Sequence, residues 1–192
     1  SINPDIIRNM FLGFNDGSVE ILGAVSGLIA AFHNSNLVFI AGLTVSVAGS
    51  LSMAAGAFVS THSEAEVRRN EEEKRAFLGE TIESVETHTS LFIAGLLVGI
   101  AYLIGASVPV APFFFGAKSA TWSVLLSGIL ILLVSSVLAF LSGMKIRRRV
   151  GMNIGVIICA VTISYLVGRA AAVAGIRGRG GRDRGAGAAA GA

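Results

Sequence analysis

The sequence predicts an all-α, polytopic membrane protein with five transmembrane helices and a short charged helical segment between the second and third. Three observations predict it. Of the 192 residues, 53% are hydrophobic and 14% charged. A soluble domain has roughly 45–50% and about 25%, and the mean hydropathy here is +0.74. Five apolar runs approach the ~20 residues with which a helix crosses a bilayer. The acids are not scattered among those runs, because residues 61–88 hold eight of the twelve.

The first span covers about 10–32, where "GFNDGSVEILG" runs into "AVSGLIAAF". No signal-peptide pattern precedes it, and a run that carries acids and continues past any cleavage site is expected to stay in the mature chain. "HNSN", His33 to Asn36, is a tight polar turn into the second span at 37–60. The third, 90–108, is expected to end where Pro109 and Pro112 remove backbone donors, with aromatic residues following at the interface. Trp122 opens the fourth, 121–142, and the fifth is 151–173. Residues 1–174 thus form one membrane domain. The Gly/Ala/Arg stretch 175–192 lacks the side chains to build a core and predicts a disordered tail.

Arg8, the basic residues of 61–89 and the "KIRRR" run fall on one side of such a layout, with Lys118 alone on the short loops opposite. The amino terminus is therefore expected in the cytoplasm and the carboxyl terminus across the membrane. Beside a span, "KIRRR" is a topology anchor and a contact for anionic lipid, not a nucleic-acid site. No Walker loop occurs, so this chain does not predict ATP-driven chemistry. No nucleophile with a neighbouring base is evident, which argues against an enzyme. A single cysteine, Cys159, excludes an intrachain disulfide.

Offsets of three and four residues place Gly13, Asp16, Gly17, Glu20, Ala24 and Gly27 on one face of the first span. Gly42, Ser46, Gly49, Met53, Gly56 and Ser60 form a matching stripe on the second. Small residues let helices approach closely in lipid, so the acids are expected to face protein. With entry near Met10, Asp16 lies roughly 9 Å deep and Glu20 roughly 15 Å. Two carboxylates that close repel in a low dielectric, and a bound proton or cation relieves the repulsion. Met53 adds a soft thioether, which favours later transition metals over Mg or Ca. The competing readings are a helix cap for Asp16 and ordinary packing for Met53.

In the charged segment, Glu64 and Arg68, and Glu71 and Arg75, have the spacing of helical ion pairs, and Gly79 marks a turn. Glu80, Glu83 and Glu86 recur every third residue without basic partners one turn away. They form an oxygen-rich set that attracts divalent cations, or that complements the dipole of the helix they begin.

"RNMFLGFNDGSVEILGAVSGL" is similar to the opening of the vacuolar iron transporter family. "AGSLSMAAGAFVSTHSEAE" resembles its second-helix motif, "VPVAPFFF" its third-helix proline motif and "AVTISYLVGR" its last helix, over about residues 5–173. The resemblance implies a homodimer of five-helix subunits that moves Fe2+, often also Mn2+, out of the cytosol in exchange for protons, along a pathway near the dimer interface. Family pathway residues match Asp16 and Met53. Plant and fungal members carry a glutamate eight positions before that methionine and many bacterial ones carry it four after; here these are Val45 and Ala57. Glu20 stands where the family usually has a small or hydroxylated residue, so it is expected to supply the missing carboxylate. The family's cytoplasmic metal-binding segment is also longer than 61–88.

The expectation is a proton-coupled divalent-metal exporter with Asp16, Glu20 and Met53 in the membrane and Glu64, Glu80, Glu83 and Glu86 collecting the ion. It has no resident cofactor; Fe2+ or Mn2+ is cargo, and its partners are a second copy, the bilayer, metal ions and protons. It sits in the cell membrane of a prokaryote or in a vacuolar-type membrane. The alternative is a non-transporting membrane module that senses metal through the glutamate segment or anchors a partner.

Overall fold

A computed structural model describes residues 4–79, 91–141 and 146–189. Among the described residues the chain is all-helical, with no strand: α1 is Pro4–Phe32, α2 Ser35–Phe77, α3 Leu91–Phe114, α4 Thr121–Leu141 and α5 Ile146–Ala189. Three of these contain a stretch long and apolar enough to cross a membrane, within Ser35–Phe77, Phe92–Phe114 and Val150–Gly175. The described apolar stretch of α4, Thr121–Val137, is shorter. In α1, Asn15, Asp16 and Glu20 dilute the apolar half, so five spans do not follow from length and composition alone.

Helix ends are set by local chemistry. His33 takes a left-handed φ of 52° and its N–H donates to the Ile29 carbonyl at 3.1 Å, which ends α1. Asn34 then caps α2, its Oδ1 accepting from the Leu37 N–H at 3.1 Å. The expected break of α3 at its prolines does not occur, because the helix runs through Pro109 and Pro112 to Phe114. It stops at Gly116, φ 83°, where Gly116 N–H donates to Phe113 and Ala117 N–H to Pro112, a Schellman pair. A membrane helix tolerates proline when neighbours take up its polar groups. Here Ser123 of α4 donates to the Pro109 carbonyl at 2.8 Å.

A second difference concerns the charged segment. Residues 61–77 are no separate element but the continuation of α2, a single 43-residue helix that ends at Gly79 with φ 77°. The ion pair that forms there is Arg69 with Glu73, at 3.2 Å on an exposed surface, and not the two pairs the spacing suggested. Glu64 instead accepts from the Ser60 hydroxyl at 3.5 Å.

The chain divides into two compact units, Ser1–Gly17 with Ser46–Gly105, and Ser18–Val45 with Ala106–Ala192. In the first, α3 supplies the buried residues Ala94, Val98, Ala101 and Tyr102. In the second, Leu22 of α1, Ile131 of α4 and Ile157 of α5 form an apolar cluster with Val19, Val124 and Val161 around it. Ser35 ties the α1–α2 turn to the α3–α4 loop through a 2.6 Å bond to the Ala117 carbonyl. The membrane-crossing part of α5 is only 6% buried, against 56% for that of α3, so α5 presents its apolar side chains outward.

Candidate functional site

Asp16 lies in the middle of α1, twelve residues after its first, and therefore caps nothing. Gly13 and Gly17, each one turn or less away, are buried, whereas Asp16 and Glu20 are exposed. Within one chain both carboxylates thus stand on an exposed part of α1. The buried face of α1 is built from Ser18, Ile21, Leu22, Val25, Ser26 and Ile29, and at 100° per residue the two carboxylates fall on the flank away from it. The reason is energetic. Apolar side chains and small residues fill the helix crossings at no electrostatic cost, while a carboxylate there would need its own compensation. Both acids nonetheless interact with neighbouring groups.

Asp16 and Met53 belong to the same compact unit, and one buried residue relates them. A Cβ on Gly13 would stand 2.8 Å from the Val98 carbonyl oxygen and 3.6 Å from the Tyr102 nitrogen, so α1 here touches the backbone of α3. The Tyr102 ring, 2% exposed, reaches the other way to Gly49 of α2, where a Cβ would stand 2.6 Å from Cζ. Asp16 follows Gly13 by one turn and Met53 follows Gly49 by one turn. Tyr102 thus lies beside Gly13 and Gly49, each one turn before a candidate position. Sequence reading missed it, although the glycines at 95 and 99 of the same helix signal a face on which another backbone comes close.

Along α2 the stripe changes character. Gly42 and Ser46 are buried, Gly49 and Met53 half-buried, Gly56 and Ser60 exposed. No described atom lies within 4 Å of a Cβ built on Gly56. Glu64 continues the stripe one turn beyond Ser60. Glu80, Glu83 and Glu86 lie outside the described residues. Among the described residues no three His, Cys, Asp or Glu side chains converge closely enough to hold a metal ion. Among the described residues, one chain thus presents exposed carboxylates and a half-buried thioether without an enclosed coordination shell.

Helices of this length and hydropathy, with carboxylates placed on one of them, define an α-helical integral membrane protein. Comparison with known proteins gives the family. The VIT family model matches residues 7–89 and 77–169, and the chain belongs to that family. The two matches overlap in the charged stretch at 77–89. Among curated relatives, an uncharacterised protein of Methanocaldococcus jannaschii is 32% identical over 121 residues, 60% of this chain and 63% of the relative. The vacuolar iron transporter homolog 1 of Oryza sativa subsp. japonica is 32% identical over 108 residues, 54% of this chain and 45% of its own length. The vacuolar iron transporter cccA of Arthroderma benhamiae is 38% identical over 65 residues, 34% of this chain and 23% of its own. The matched stretches span less than two thirds of these relatives.

Proposed function

We propose that this chain exports a divalent transition metal, Fe2+ and also Mn2+, from the cytosol in exchange for protons, as a homodimer of five-span subunits. The observation that carries the proposal is the flank of α1 bearing Asp16 and Glu20, which the chain's own helices leave uncovered. Ionisable groups at membrane depth are expensive beside lipid and belong against protein or water. A second copy laid against this flank and the open part of α2 removes the carboxylates from lipid and brings two sets of donors together. The likeness to a fungal vacuolar iron transporter and a plant vacuolar iron transporter homolog supports iron as cargo.

In this reading Glu64, with Glu80, Glu83 and Glu86, raises the local concentration of cation at the cytoplasmic mouth. The ion passes Ser60 and Gly56 to Met53, whose thioether favours Fe2+ and Mn2+ less weakly than Mg2+ or Ca2+. Asp16 and Glu20 then take the double charge. Protons arriving from the far side neutralise the carboxylates and release the metal, and their departure into the cytosol resets the site. Glu20 supplies the carboxylate that the family usually places on the second helix and that Val45 and Ala57 lack.

The test is reconstitution in liposomes with Fe2+, Mn2+, Zn2+ and Ca2+ under an imposed pH difference. Fe2+ and Mn2+ are expected to move against the proton gradient, and Asp16→Asn and Glu20→Gln to lose that flux. Undiminished flux in Glu20→Gln removes Glu20 from the pathway. Absence of any metal flux under either gradient direction overturns the transporter reading.

A further inference from the structure

Several hydroxyls within the apolar helices of this chain share a habit. Ser26 donates to the Leu22 carbonyl at 2.7 Å, Thr44 to Ile40 at 2.8 Å and Ser136 to Leu132 at 2.7 Å, each returning to the residue four back. That is the usual way a membrane helix satisfies a hydroxyl. Ser127 of α4 departs from it. Its side chain is 0% exposed, and its Oγ has no hydrogen-bond partner among the described residues. Unpaired buried hydroxyls are uncommon enough that each one asks for a cause.

Its surroundings are specific. Ser123, one turn earlier and also 0% exposed, spends its proton on the Pro109 carbonyl at 2.8 Å, which leaves its oxygen free to accept. On the other side stands Ile131, closed into the cluster with Leu22 and Ile157, and Val124 packs against that cluster too. Beyond Ile131, Ser135 accepts from the Asn153 amide of α5. The orphan hydroxyl is therefore bounded by hydrocarbon toward Ile131 and by an accepting oxygen toward Ser123. Positions four apart on a helix are ~6 Å apart along its axis. Two hydrogen bonds of about 2.8 Å placed end to end cover that distance.

We propose that Ser127 and Ser123 hold a single buried water molecule on the packing face of α4. A water donates to Ser123 Oγ and pairs with the Ser127 hydroxyl, which gives that buried oxygen the partner it lacks among the described residues. A cation does not suit these two neutral hydroxyls, since hard cations take six or more oxygens, carboxylates among them. The Ile131 cluster separates this water from the Ser135–Asn153 pair, so it is a closed station and not part of a continuous file.

The test uses the full chain in lipid bilayers with 13C-labelled serine and measures magnetisation transfer from water by solid-state NMR. Ser127 Cβ is expected to be polarised several-fold faster than Ser26 and Ser136, and Ser123→Ala to slow it to their rate. Equal, slow build-up at Ser127 and Ser26 in the unmodified chain means the hydroxyl is bonded back within its own helix and overturns the proposal. Fast build-up that survives Ser123→Ala overturns the bridge. A thermal melt gives an independent reading: Ser127→Ala lowers the midpoint if a water anchor is lost, and an unchanged or raised midpoint counts against the water, as expected when an orphan hydroxyl is deleted.

Discussion

Replacing Gly99 with alanine tests how closely α2 and α3 are pressed together. A Cβ at 99 would stand 2.7 Å from Ala54 Cβ and 3.0 Å from the Ser50 carbonyl oxygen. Carbon atoms settle at about 3.5–4.0 Å, so the helices would have to part by about 1 Å. Neither obstacle is a flexible side chain that can turn away. The strain also spreads, because Gly95 one turn earlier meets the Ala54 carbonyl oxygen at 2.7 Å and Tyr102 closes on Gly49 one turn later. Overpacking costs about 2–3 kcal/mol here, offset by the gain of about 1 kcal/mol that alanine brings to a helix. The net loss of about 1–2 kcal/mol corresponds to a midpoint lowered by about 2–8 °C in a chain of this size. Gly155→Ala on α5 is the counterpart, since a Cβ there meets nothing within 4 Å. It keeps only the propensity gain and is expected to raise the midpoint. Both variants are melted in the same detergent with Trp122 fluorescence as the probe. Midpoints that shift in the same direction would refute the close crossing.

Met53→Leu keeps the volume and costs less than about 1.5 kcal/mol, but removes the soft donor; excess Ca2+ is then expected to inhibit Fe2+ uptake by liposomes, and unaltered resistance to Ca2+ returns Met53 to packing. Gly56→Leu is expected to leave the melting midpoint within about 0.5 kcal/mol of its original stability, as for an open position, while reducing the cross-linked dimer in membranes. A dimer that persists means the interface does not run along this part of α2. Tyr102→Phe keeps the ring against Gly49 and deletes only the hydroxyl. A several-fold fall in metal flux with the fold intact assigns that hydroxyl to the pathway, and unchanged flux leaves Tyr102 a packing residue.

Hydropathy and punctuation made much of the fold legible. Apolar runs located the helices, "HNSN" located the first turn, and Gly79 located a turn after the charged stretch, though not that this stretch continues α2. What escaped was decided by partners distant in sequence. Pro109 and Pro112 looked like a terminus because their missing donors are local facts, whereas the Ser123 hydroxyl that bonds Pro109 comes from another helix. The stripe on α1 was visible as a spacing of small and acidic residues. Which of its members lie buried was not, since Gly13 meets the α3 backbone while Asp16 lies exposed, and spacing says nothing of that. Tyr102 was passed over because a tyrosine in an apolar run carries no motif until Gly13 and Gly49 are found beside it.

The unbroken α2 carries a mechanical implication. At about 1.5 Å per residue its 43 residues make a rod of about 65 Å, more than twice the ~30 Å of hydrocarbon it has to traverse. Glu73 and Met53 lie on the same helix, twenty residues and about 30 Å apart along its axis, with no joint between them.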